Sequence, residues 1–254
     1  MEQKEITDIV GKMTSITLEE MKSVHLMDRV DSKFVIPAML LPKLLKEMVP
    51  YFKVQTQNGT TIAPYTTQYF DTSGLDMFLM HQNGKQNRQK IRIRSYVDSK
   101  LSFLEIKKKN NKGRTSKIRI PVESPFVDSV EELSTGKDFL DTNSSFQSQS
   151  LVPVLNNDFY RITFVNNRKT ERITIDINLS FRNLLTGDEK RFDNIVILEL
   201  KQDGWQHSDF RDILLKLRVR KNSFSKYCMG TVSTNSKVKY NRFKSRLAKI
   251  NKLS

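Results

Sequence analysis

Residues 88–96 read Arg88-Gln89-Lys90-Ile91-Arg92-Ile93-Arg94-Ser95-Tyr96, and this stretch decides the fold. Side chains alternate faces along a β-strand, so Arg88, Lys90, Arg92 and Arg94 share one side and Ile91 and Ile93 the other. The same split recurs outward from here. Phe103, Glu105 and Lys107 oppose Leu104 and Ile106, and Lys117 and Arg119 oppose Ile118 and Ile120. Arg161 and Thr163 oppose Tyr160, Ile162 and Phe164; Arg172, Thr174 and Asp176 oppose Ile173, Ile175 and Ile177. Ile197, Glu199 and Lys201 oppose Val196, Leu198 and Leu200, while Arg29, Asp31 and Lys33 oppose Val30, Phe34 and Ile36.

An antiparallel sheet with one face in water is one reading of this pattern. The kind of charge points elsewhere, because Arg and Lys are concentrated with few acids among them. Like charges on neighbouring strands repel by a few tenths to about 1 kcal/mol per pair, and a bound polyanion cancels that repulsion. The pattern therefore predicts a closed antiparallel barrel, its apolar sides outward under helices and its charged sides lining a tunnel. Arg offers a planar fork to phosphate oxygens and Lys a mobile point charge. The few inward carboxylates, Glu199, Glu105 and Asp176, are expected to bind Mn²⁺ or Mg²⁺, which prefer oxygen ligands and bridge phosphates.

Strand alternation spans residues 61–201, broken by turn signals such as Asn83-Gly84 and Thr186-Gly187-Asp188. Before it, Ile6, Ile9, Val10, Met13 and Ile16 fall at helical spacing, and a second helix is expected from Pro37 to Met48. Residues 127–150 read as a long loop with a short helix. Helical spacing returns after Trp205 with Phe210, Ile213, Leu214 and Leu217, and Phe243, Leu247 and Ile250 place an apolar stripe on a basic tail. The expected organisation is an N-terminal helical segment 1–25, a tunnel domain 26–236 and a C-terminal helical tail 237–254.

The chain has 254 residues, 37% apolar and 28% charged, with a formal net charge of +15. That charge predicts a polyanionic partner. The single cysteine, Cys228, excludes an internal disulfide and a cysteine-rich zinc site, and points to a reducing, cytoplasmic setting. No apolar run reaches membrane-spanning length, so no transmembrane segment is expected. His25, His81 and His207 lack metal-ligand spacing, Cys228 is expected to pack as a small apolar residue, and Trp205 is expected to pack at a helix start. A nucleic-acid platform interleaves aromatic and basic residues, whereas Tyr160 and Phe164 fall on the apolar face, so no specific nucleic acid is expected.

Several stretches resemble, in order, the motifs of the VTC domain: Arg29-Val30-Asp31-Ser32-Lys33-Phe34, Tyr69-Phe70-Asp71-Thr72, Ile91-Arg92-Ile93-Arg94-Ser95-Tyr96, Leu104-Glu105-Ile106-Lys107, Leu198-Glu199-Leu200-Lys201, Phe224-Ser225-Lys226-Tyr227 and Tyr240-Asn241-Arg242-Phe243. That family belongs to the triphosphate tunnel metalloenzymes. The resemblance implies an α+β fold with an eight-stranded antiparallel β-barrel tunnel and helices packed outside. It implies phosphate binding by Lys33, Arg92, Arg94, Lys107, Lys117, Arg161, Arg172 and Lys226, with Lys201 beside them, and a divalent metal on Glu199. Lys33, Arg92, Arg94, Lys107, Arg161 and Arg172 would carry the chemistry. The implied activity is transfer of the γ-phosphate of ATP to a polyphosphate chain, with a triphosphatase or a non-catalytic polyphosphate or RNA binder as alternatives. Pyrophosphate is a further expected ligand, and a membrane protein a possible partner. Asp31 departs from the glutamate that many tunnel enzymes carry in their first strand.

Overall fold

The computed structural model describes residues 3–21, 29–204 and 206–253; His25 and Trp205 lie outside the described residues. The chain begins with α1 (Gln3–Gly11), β1 (Ser15–Thr17), α2 (Leu18–Met21), β2 (Arg29–Pro37), α3 (Leu41–Met48), β3 (Phe52–Thr56), β4 (Ile62–Asp71) and α4 (Asp76–Gln82). It continues with β5 (Arg88–Tyr96), β6 (Leu101–Lys109), β7 (Thr115–Val122), α5 (Gly136–Asn143), β8 (Val152–Asn166), β9 (Glu171–Asn183), β10 (Glu189–Phe192) and β11 (Ile195–Asp203). Three helices close it: α6 (Asp209–Lys216), α7 (Lys226–Thr234) and α8 (Asn241–Asn251).

Two boundaries differ from expectation. Pro37 ends β2 in extended backbone, a 3-10 turn follows, and the proline in the first turn of α3 is Pro42. The N-terminal segment is not purely helical, because Ser15–Thr17 pairs in parallel with Val54–Thr56. Burial of Ile16 against Met21 and Val165 holds that pairing in place. No helix among the described residues is long and apolar enough to cross a membrane.

An eight-strand path runs β2-β11-β9-β8-β4-β5-β6-β7, with β1, β3 and β10 attached beside it. Every step of the path is antiparallel. The expected closure is absent: among the described residues β2 and β7 share no ladder, so the sheet is open rather than a closed barrel. β7 explains why. Its first five residues are exposed on both faces, so little apolar burial draws this edge inward.

The open sheet is nonetheless strongly curled. The charges of Glu199 on β11 and Lys33 on β2 act on the ammonium of Lys107 on β6. In a flat sheet, six strand spacings would put β6 roughly 29 Å from β2, beyond the ~10 Å over which charges act through salty water. The two ends have therefore turned toward each other, and the charged faces converge.

The alternating aliphatics form the convex surface. Ile162, Phe164, Ile173, Ile175, Leu198 and Leu200 pack beneath α1, α3 and α6, and Ile91, Ile93, Leu104 and Ile106 beneath the 127–151 segment. Burying each such side chain stabilises the fold by about 1.5–3 kcal/mol. At one end of the concave face the polarity reverses. A register shift near Asp158 and Tyr160, matched by positive φ at Asn178, turns Leu179 and Phe181 toward the inside. They join Tyr69, Phe159 and Ile197 in packing against α7 and α8. A Cβ on Gly230 would lie 2.4 Å from Phe181 Cδ1 and 2.7 Å from Leu155 Cδ2, so only glycine lets α7 seat this deeply. Asp71 anchors the arrangement, accepting from the Met77 and Phe78 amides at 2.9 Å and from the Tyr227 hydroxyl. The first turn of α7 thus reaches the charged half of the concave face.

Candidate polyanion-binding site

Strand register pairs the acids of the concave face with cations. Arg161 stands opposite Asp176, Arg92 opposite Glu105 and Lys33 opposite Glu199. Arg161 grips Asp176 through Nε to Oδ1 at 2.6 Å and Nη2 to Oδ2 at 2.8 Å, and Lys226 from α7 donates to the same Oδ2 at 2.5 Å. Arg92 donates through Nε and Nη2 to Glu105 Oε2 at 2.8 and 2.7 Å, and Lys117 donates to Oε1 at 2.7 Å. Lys33 Nζ lies 2.9 Å from Glu199 Oε1, while Lys201 Nζ is 3.9 Å from Oε2.

Burial would raise the pKa of all three acids, and the cations outweigh it. Arg92 and Arg94, with the Lys117 contact, bring Glu105 down to about 2. Arg161 and Lys226 hold Asp176 far below the usual carboxylate range, and Lys33 and Lys201 do the same for Glu199. All three are ionised at neutral pH. Burial and the neighbouring Arg161 charge weaken the hold of Lys226 on its proton, against the support of Asp176.

Cations still outnumber these acids. Lys90 is lowered by burial and donates to Ser225 Oγ, the N-cap of α7, at 2.8 Å. Arg94 is half-buried beside Arg92 and Arg161, and its buried Nε has no hydrogen-bond partner among the described residues. A buried N–H donor left without an acceptor is costly, and here the like charges of Arg92 and Arg161 add to the cost. Arg172 stands opposite Lys201 near the start of β9 and donates to the Met21 carbonyl at 3.0 Å.

The expected metal set Glu199, Glu105 and Asp176 does not come together: among the described residues no three His, Cys, Asp or Glu side chains converge as a metal site. Glu105 and Asp176 have both oxygens committed to close ion pairs. Glu199 fits a metal better, since among the described residues its Oε2 has only the 3.9 Å contact with Lys201. Mg²⁺ is commonly bound by one or two carboxylates with substrate phosphates and water, which suits a single glutamate beside a cationic cradle.

The charged face also carries residues outside the expected ligand set. Lys90 and Arg119 lie there, as their alternation implies, and the rings of Tyr65 and Tyr96 join them, although most aromatic residues are expected on the apolar side. Tyr65 and Tyr96 have ring centroids 5.0 Å apart, and Arg161 lies 5.1 Å from the Tyr65 ring. With Gln55, Gln57 and Asp98 they line a pocket beside Arg161. Cys228 is buried as expected, but its Sγ lies 2.9 Å from His81 Nδ1. Burial, then Lys90, Arg88 and Arg242, lower His81 to about 3, while burial raises Cys228. The pair is therefore neutral at pH 7 and joins α4 to α7.

Lys107 supplies a pH test. Although solvent reaches this residue, partial burial and then the charges of Lys33, Arg92 and Lys90, opposed by Glu199, bring it down to about 8. It is charged at pH 7 and neutral well above 8. Affinity for tripolyphosphate should fall between pH 7 and 9 at constant ionic strength, and binding near pH 8 should take up protons. Calorimetry in buffers of different ionisation enthalpy checks this; a flat profile would take Lys107 out of the site.

Fold and site together define an α+β protein whose curled antiparallel sheet presents a cation-rich concave face with a helix N-terminus set against it. The sequence matches the family model of the VTC domain over residues 28–235, and the chain belongs to that family. Solved structures similar to it include HpAC1 from Hippeastrum, a candidate adenylyl cyclase described as having a dominant triphosphatase activity, at 13% identity over 81% of this chain and 96% of that one, TM-score 0.48. The PH1819 protein of Pyrococcus horikoshii is 14% identical over 80% and 98%, TM-score 0.42. A candidate adenylate cyclase of Vibrio parahaemolyticus is 10% identical over 81% and 99%, TM-score 0.45. No curated protein matches. These TM-scores lie below 0.5, so the family assignment rests on the sequence match.

Proposed function

We propose that the concave face holds the triphosphate of ATP or a related nucleotide and passes its γ-phosphate to a polyphosphate chain, in the cytoplasm. The observation that carries this reading is Arg94, a half-buried guanidinium beside Arg92 and Arg161 whose buried Nε has no partner among the described residues. A bound phosphate oxygen supplies both the missing acceptor and the missing charge. Lys33, Arg92, Arg94, Lys107, Lys117, Arg161, Lys201 and Lys226 hold the phosphates, and Arg172 acts beside Lys201 from the start of β9. The curled sheet serves as a tunnel wall that stays open between β2 and β7. Phosphoryl transfer asks of such a site mostly positioning and charge stabilisation. Glu199 would hold Mn²⁺ or Mg²⁺ together with phosphate oxygens, and the ion would supply further neutralisation of developing charge.

Incubation of the purified protein with ATP and Mn²⁺ or Mg²⁺, with products resolved on a gel, tests the reading. A ladder of polyphosphate is expected. Free phosphate alone would make the protein a triphosphatase, and unchanged ATP would leave a non-catalytic binder; either outcome contradicts the transferase.

A further inference from the structure

The walls of the site are unequal, and this inference rests on the phosphate-chain reading above. Side chains at the centre are covered: Arg161, Lys226 and Arg92 are 12%, 11% and 16% exposed. Toward the two sheet edges exposure rises, to 35% for Lys33 and 40% for Lys117. One end of the concave face is filled by α7 and α8, so a chain that outgrows the covered cations meets packed helices there. Between β7 and β2, which share no ladder among the described residues, the basic side chains offer a path instead, beside the Asn222 amide that donates to the Lys33 carbonyl on the β2 edge at 2.9 Å.

Arg119 stands on that path. It lies on β7, on the same face as Lys117 and opposite Glu105 in register. Arg92 and Lys117 already occupy both oxygens of Glu105, and Arg119 makes no ion pair among the described residues. Its guanidinium instead lies over the Phe103 ring, 4.3 Å from the centroid. Stacking fixes the plane of the fork and leaves its N–H donors at the rim.

We propose that Arg119, next to Lys117, forms an outer subsite for inorganic polyphosphate, by which a chain longer than the covered site leaves between β7 and β2. Polyphosphate is favoured over nucleic acid because the subsite continues the same phosphate-binding surface.

The test compares the whole wild-type protein with Arg119→Ala and Arg119→Lys, using tripolyphosphate, long-chain polyphosphate and single-stranded RNA as ligands. Wild type should prefer the long chain to tripolyphosphate. Arg119→Ala should weaken long-chain binding about tenfold, the effect expected for one lost charge-assisted contact, and lower its salt slope by about one. Tripolyphosphate affinity should stay within about twofold, and the melting temperature should barely move because the side chain is exposed. Arg119→Lys, which keeps the charge, should recover part of the loss. Equal weakening of both phosphates, or of neither, would overturn the outer subsite, as would RNA binding that matches long polyphosphate and falls with it. Failure of wild type to bind tripolyphosphate would instead sink the phosphate-chain reading itself.

Discussion

Glu199→Gln is expected to leave the protein folded and to lower turnover at least about 100-fold. Changes one step removed from a metal typically cost about 10–100-fold, and loss of the coordinating carboxylate should exceed that. The fold should tolerate the change. Lys33 is 35% exposed and stays hydrated when its partner becomes neutral, and such partly solvated pairs contribute only about 0–1 kcal/mol. Melting temperature and turnover should be measured together across a Mn²⁺ titration. Unchanged turnover at saturating metal would remove Glu199 from the metal site.

Asp176→Asn should act in the opposite sense, with its main effect on stability. The carboxylate is 6% exposed and neutralises Arg161 and Lys226 at once. Removing one member of a buried ion pair typically costs about 3–5 kcal/mol, on the order of 10 °C for a domain of this size. The pH sign follows from the depressed pKa of Asp176 and the value of about 2 for Glu105. Their stabilisation is fully present above the unfolded carboxylate range near 4 and is lost as pH falls through the folded values. Wild type should therefore lose stability steeply below about pH 4, with a shallower fall in Asp176→Asn. Tripolyphosphate should raise the melting temperature of the variant more than that of wild type, since the anion replaces a missing negative charge. A variant as stable as wild type would mean that the Arg161–Asp176–Lys226 cluster is solvated rather than buried.

The residues that carry these effects were unequally legible. Arg92, Arg94, Lys107, Lys117 and Arg161 showed themselves because one strand face must bury Ile and Leu, which leaves the opposite face in a two-residue rhythm. Seven of the eight strands on the path followed from the same rhythm; β4 did not, nor did β1, β3 and β10 beside it. Openness did not, because it depends on β7, whose alternation resembles that of its neighbours but whose convex residues find little cover: Ile118 remains 39% exposed. Lys226 emerged only from its motif. It lies on α7, and packing of Gly230 against Phe181 and Leu155 brings it to the site. The fate of the acids was hidden for a related reason. Arg92 and Glu105 are thirteen residues apart, and the cross-strand register that makes them partners is set by hairpin geometry. Tyr65 was missed because much of β4 is buried on both faces, which blurs its alternation, and Tyr96 because it closes the charged rhythm of β5 with a neutral ring.

The most direct measurement is the melting temperature with tripolyphosphate and with sulfate at equal ionic strength. A phosphate chain that binds the concave cations of the folded state raises it by mass action, with a gain in stability that grows as the logarithm of ligand concentration and reaches about 2.7 kcal/mol at a hundredfold excess over Kd, whereas sulfate should do much less. Substitution of Arg94 by alanine should shrink the tripolyphosphate shift specifically. Equal shifts from the two anions, unchanged in the Arg94 variant, would reduce the effect to general screening and contradict a shaped phosphate site.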